Sequence, residues 1–174
     1  MLQTLRAKLP YLLATLCVAT LFLIINVQST QAQCSGQGCS GTAWGPSATY
    51  VLTLDNGCVV TVNVQIRECT GTPNTCEFFF DKIAGVCCTG SAPSTRDLVR
   101  SVAAAIIANL APNTCALANP KVFYPKCWQT TGGTNNAQGC NSSPCCSYDG
   151  TTYNTPPTPP GYTCPSPCTI FVCP

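Results

Sequence analysis

The sequence predicts a small disulfide-rich α+β domain: a three-stranded antiparallel meander covered by one helix, followed by an irregular Cys/Pro-rich C-terminal part. Three observations lead there. Sixteen of the 174 residues are cysteine, a density typical of exported scaffolds stapled by disulfides. Residues 47–88 alternate apolar and polar side chains with the period of half-buried strands. Residues 95–111 carry the one clear helical stripe, Leu98, Val102, Ile106 and Leu110, flanked by Val99, Ala103 and Ile107.

Taken in chain order, Arg6 and Lys8 precede an apolar run at residues 11–25, and Thr30 and Ala32 suit the small-residue positions before a cut. These are the parts of a secretory signal peptide, residues 1–32. An uncleaved membrane anchor competes, because residues 9–27 supply nineteen mostly apolar positions, close to the ~20 a bilayer requires. Both readings put the remainder in an extracellular location, secreted or at the cell surface.

Residues 33–46 form a Gly/Ser/Cys-rich lead-in containing Cys34 and Cys39. Residues 47–129 should form the stapled α+β domain. Its first two strands flank Asp55-Asn56-Gly57, which is turn chemistry. A two-residue loop would put Thr49, Val51 and Thr53 on the face of Val60 and Val62. A three-residue loop with Gly57 left-handed instead joins Tyr50, Leu52 and Leu54 to that face, and keeping apolar residues together favours it. A third strand at residues 76–83 contains Phe78, Phe79 and Phe80. Ser94 caps the helix, Asp97 lies in its first turn and Pro112 is expected to stop it. Residues 121–129 suggest an edge strand interrupted by Pro125. Residues 130–174 should be irregular, with a proline-rich stretch at 155–161, a glycosylation sequon at Asn141-Ser142-Ser143 and a short strand at 169–172.

Only Cys17 falls in the leader, which leaves fifteen of the sixteen, so one thiol stays free or joins another chain. Cys58 and Cys69 are eleven apart, as are Cys76 and Cys87. A hairpin centred on residues 70–75 therefore predicts Cys69–Cys76 and Cys58–Cys87, with Cys88 the alternative to Cys87. That register carries two costs: Glu68 opposes Glu77, and Asp81 falls on the apolar face unless a bulge intervenes. The adjacent pairs Cys87-Cys88 and Cys145-Cys146 should each tie two different segments to one point. No Cys-x-x-Cys knuckle occurs, so disulfides are favoured over metal, and neither a metal nor another cofactor is expected.

Charge and histidine content narrow the function. Beyond residue 32 the chain holds three Lys, three Arg, four Asp and two Glu, a neutral balance that argues against nucleic acid and anionic membranes. The histidine count is zero, which removes Ser-His-Asp and Cys-His catalysis. A carboxylate pair, Glu77 and Asp81, would stand about 13 Å apart along a strand, wider than glycoside hydrolysis uses. No catalytic or ligand-binding residue is assigned. The expectation is a non-enzymatic secreted protein, an extracellular structural or surface-assembly component capable of self-association or an intermolecular disulfide. The alternative is a soluble binding module for carbohydrate or protein, or a small effector or inhibitor, with Trp44, Tyr124, Trp128, Tyr148, Tyr153 and Tyr162 as the aromatics to watch.

Overall fold

The Asp55-Asn56-Gly57 loop sets the first hairpin. Gly57 has φ 78°, a left-handed conformation that suits glycine. Leu54 N donates to Cys58 O at 2.8 Å and Gly57 N to Leu54 O at 2.9 Å. Strands β1 (Ala48–Thr53) and β2 (Val59–Cys69) then pair Leu52 with Val60 and Tyr50 with Val62, the register of the three-residue loop. The computed structural model describes residues 34, 39, 43–70, 74–115, 119–131, 136–140, 144–154, 162–164, 168 and 170–173. The leader at 1–32, the sequon at 141–143 and the proline-rich stretch at 155–161 lie outside the described residues.

Strand β3 (Thr75–Cys87) has thirteen residues against the eleven of β2. The two extra residues are bulges: register shifts fall between Val62 and Val64 and between Val59 and Thr61. Near the loop Cys69 faces Thr75 and Arg67 faces Glu77, one residue out from the expected Cys69–Cys76 alignment. The reason is electrostatic. Instead of Glu68 opposing Glu77, Arg67 Nε donates to Glu77 Oε2 at 2.7 Å, and both side chains are 2 % exposed. The first bulge doubles Asp81 and Lys82 against Asn63 and spares Asp81 the core.

Ser94 Oγ accepts from Asp97 N at 3.2 Å and caps helix α1 (Thr95–Ala105). The helix does not stop at Pro112. It passes through a π turn, Ile106–Leu110, into α2 (Ala111–Thr114). A proline lacks the N–H for an α-helical bond and its ring crowds the carbonyl four residues back. The wider π turn places Pro112 at the start of a new segment, where that N–H has no role.

From the helix the chain returns to β4 (Pro120–Pro125), which runs parallel to β3, pairing Phe78 with Val122. The expected edge strand at 121–129 is therefore an interior strand followed by a separate one, β5 (Cys127–Thr130). The expected irregular C-terminal part also joins the sheet, as β6 (Ala137–Gly139), β7 (Cys145–Tyr148), β8 (Tyr153–Asn154) and β9 (Ile170–Phe171). Among the described residues the predicted meander is thus one flank of a nine-stranded sheet. β3 is its centre, with β2 along one edge and β4 then β6 along the other.

The sheet is covered on both faces. Leu98, Val99, Val102, Ala103 and Ile106 bury the helical stripe against Val60, Val62, Val64, Phe78, Phe80, Ile83, Val122, Tyr124 and Trp128. The stripe was expected to pack on the sheet, and it does. On the opposite face Phe79 and Phe123 pack with Cys34, Cys145 and Trp44, so the lead-in is a second cover. Gly45 N donates to Ile66 O at 3.0 Å, and a Cβ on Gly45 would sit 2.8 Å from that oxygen, so only glycine allows this approach. Trp44 lies over Arg67, 4.0 Å from ring centroid to Cζ.

A buried charge that loses its partner is costly, typically about 3–5 kcal/mol, whereas replacing both partners by apolar groups is close to neutral. Arg67→Met should destabilise the oxidised protein by about that amount in denaturant unfolding. The double substitution Arg67→Met with Glu77→Leu should restore most of the loss.

Candidate functional site

Fourteen cysteines form seven disulfides: Cys34–Cys145, Cys39–Cys69, Cys58–Cys88, Cys76–Cys115, Cys127–Cys164, Cys140–Cys168 and Cys146–Cys173. The one free thiol among the described residues is Cys87, and it is exposed. Of the four candidate cysteines, Cys58 therefore takes the alternative partner Cys88, and the expected Cys69–Cys76 bond is replaced by Cys39–Cys69 and Cys76–Cys115.

The bulges explain the exchange. Side chains alternate faces along a strand, so each one-residue shift of register turns a residue over. Cys58 is buried, on the inner side with Val60. The second bulge, where Gly85 takes φ 61°, sets Cys87 opposite Val59, and Val59 points outward. Cys88 is left on the side of Cys58, their Cα atoms 4.2 Å apart.

The surroundings of Cys87 are unusual for this molecule. The outer side of β2 carries Val59, Thr61, Asn63, Gln65 and Arg67. The lead-in covers its far end, through Trp44 on Arg67 and through Gln65 Nε2, which donates to Gly45 O at 3.1 Å. Towards the hairpin end the same face is open. Cross-strand rows there read Thr53, Val59, Cys87 and then Val51, Thr61, Ala84. Val51 is 69 % exposed and Val59 39 %, the large exposed apolar residues among the described ones. No charged residue stands in either row, so the patch is uncharged, threonine- and valine-lined and bordered by a thiol.

The other candidate groups are engaged in structure. Glu77 accepts from Arg67 and is buried. Asp81 lies at the first bulge, its carboxyl raised above the ordinary range chiefly by burial. Cys39, Cys69 and Glu77 bring ligand atoms within 4.8 Å of one another, but the two sulfurs are bonded to each other and the carboxylate is paired with a guanidinium, a donor set unsuited to a metal. Trp128 is fully buried, and Nε1 donates to Pro125 O at 2.6 Å. Tyr148 and Tyr153 stack at 4.3 Å, with Arg100 5.4 Å from the Tyr153 centroid. Lys126 Nζ stands 5.8 Å from the Tyr162 ring. Tyr124 is wholly buried against Phe80. Its hydroxyl is the buried side-chain polar atom without a hydrogen-bond partner among the described residues, and burial, then Tyr153, push its pKa up.

No protein-family model, curated protein or solved structure matches the chain.

Two outcomes follow. After mild reduction that opens interchain bonds and spares the seven intrachain disulfides, the folded protein should take up one thiol-alkylating group without denaturant, at Cys87 by peptide mapping, and Cys87→Ser should take up none. Tyr124→Phe should raise unfolding stability by roughly 1 kcal/mol, since it removes a hydroxyl buried without a protein partner; a loss of stability on thermal or denaturant unfolding would show that the hydroxyl is satisfied in solution.

Proposed function

We propose that this chain is an extracellular, non-enzymatic structural protein that assembles with further copies of itself through the open half of its outer sheet face. The observation that carries the reading is Cys87: with fourteen cysteines closed into seven intrachain bonds, one exposed thiol stands on an uncharged, valine-bearing surface. Seven disulfides suit an oxidising compartment, where an exposed thiol is readily consumed. In the proposed bond the Cys87 Sγ atoms of two copies join. Their two protons and two electrons pass to a disulfide oxidant of that compartment, which leaves as the dithiol. A neutral chain offers little repulsion between copies.

The packing of the aromatics favours this reading over a soluble binding module. Stacking on a sugar or a partner peptide needs an aromatic face open to solvent. Among the described residues the aromatic rings are buried or half-buried, and Trp44, Tyr148, Tyr153 and Tyr162 each face another ring or a cation.

Intact mass of the exported protein, alkylated with and without reduction, tests the reading. A disulfide-linked dimer through Cys87, collapsing to monomer on reduction, is expected. A monomer carrying one alkylated Cys87 and no larger species would overturn assembly through Cys87 and return the effector or binding reading.

A further inference from the structure

The open patch ends at a strand edge, and that edge has its own chemistry. β1 pairs with β2 and with no other described strand. The sheet's other outer strands, β8 and β9, have two residues each, whereas β1 has six. Exposed edges are ordinarily blunted by charge, proline or a bulge. β1 reads Ala-Thr-Tyr-Val-Leu-Thr and has none of these.

Backbone parity says which groups the edge presents. Leu54 directs both its N–H and its C=O to the hairpin partner. In an antiparallel ladder residues alternate between pointing both groups at the partner and both away. Leu52, Tyr50 and Ala48 therefore bond to β2, and Thr53, Val51 and Thr49 present their N–H and C=O groups along the free edge.

We infer that β1 is a strand-addition site whose occupant is β1 of a second copy, running antiparallel about a two-fold axis at Val51. The strand is complementary to itself in that register. Thr49 meets Thr53, Val51 meets Val51, and on the inner side Tyr50 meets Leu52. Thr–Thr and apolar cross-strand pairs are favourable, and no like charges oppose one another. All three outward residues fall in hydrogen-bonded pairs, giving roughly six interchain backbone bonds. Main-chain bonds of this kind supply affinity in strand addition generally.

This inference deepens the assembly proposed through Cys87 and rests on it for its consequence. Cys87 lies on β3, two strands in from the edge. Across a β1–β1 contact two Cys87 residues are separated by five strand spacings, about 24 Å, far beyond the ~5.5 Å between bonded Cα atoms. The edge contact therefore leaves both thiols unused. Each copy then has two separate self-complementary contacts, one through β1 and one through Cys87. Two different two-fold axes on one molecule carry assembly past the dimer, into an open chain of copies where the axes do not intersect and a closed dihedral ring where they do.

Sedimentation of four proteins separates the two contacts: the oxidised wild type, Cys87→Ser, Thr49→Pro and the double variant, with circular dichroism as the check on folding. Cys87→Ser should form a reversible, concentration-dependent dimer and nothing larger. Thr49→Pro, which removes an edge N–H outside the two rows of the patch, should give only the covalent dimer, the wild type a ladder beyond dimer, and the double variant monomer. In the Cys87→Ser background, Val51→Lys should weaken association roughly tenfold or more by setting like charges opposite each other. Mixing the Val51→Lys and Val51→Asp forms of that background should restore association. A Cys87→Ser protein that stays monomeric at every concentration would overturn the edge contact while leaving the Cys87 bond standing. A wild type that forms reversible dimers but no covalent ones would overturn the Cys87 bond and leave the edge contact.

Discussion

Three consecutive phenylalanines at the middle of β3 impose the condition that the rest of the fold meets. Side chains alternate across a strand, so Phe78 and Phe80 project to one face and Phe79 to the other, and all three are buried. A sheet with a single cover would leave Phe79 in water, at a cost of about 1.5–3 kcal/mol for a large apolar side chain. Two covers are required, and the sequence from residue 33 onward has one clear amphipathic stripe to offer, at 95–111. The second cover is the lead-in, which has no periodic apolar pattern and lies down through Trp44, Gly45 and two disulfides.

The adjacent cysteines follow from the same alternation. Cys145 and Cys146 are neighbours on β7, so their sulfurs leave the sheet on opposite sides. Cys145 holds Cys34 of the lead-in over Phe79 and Phe123, and Cys146 holds Cys173 of the C-terminal tail beside the helix. One strand thereby fixes both ends of the described chain. The bonds span sequence separations of 27 to 111 residues, and the chain-entropy model assigns closures of that size about 3.5–5 kcal/mol each, not additively. That is the scale of stabilisation a domain needs when its C-terminal strands have two to four residues and few hydrogen bonds apiece.

Where a segment had enough residues to establish a period, the sequence was readable. The β1–β2 register, the left-handed Gly57 and the Ser94 cap all rest on local rules acting over six or more residues. The β2–β3 register was half legible: Glu68 against Glu77 and Asp81 in the core marked the simple alignment as costly, but the burial of Arg67 with Glu77 beneath Trp44, twenty-three positions from Arg67, is a long-range contact that no local pattern announces. β4 read as an edge strand because it contains Pro125, and only the helix crossover makes it interior. β6, β7, β8 and β9 are too short for alternation to appear, and they become strands because β3, β4, β5 and, for β8, β7 present edges to them. Of the open patch, the sequence held the odd cysteine but not its identity.

The identity of that cysteine turns on a single residue of slip. In a hairpin without bulges Cys87 would face Cys58, close the bond and leave Cys88 over, with little of the open face marked. Between the two bulges, where Val62 pairs with Ile83 and Thr61 with Ala84, that simple alignment is in force. The second bulge alone carries Cys87 to the outer side, opposite Val59, while the first takes up the one-residue offset that pairs Arg67 with Glu77. The ion pair under Trp44 and the exposed sulfur beside Val59 are therefore set by separate bulges, one towards each end of the strand pair. Removing the second bulge would turn Cys87 back towards Cys58 and leave the buried pair untouched, so the exposure of the thiol rests on the left-handed turn at Gly85, a conformation that glycine adopts without strain.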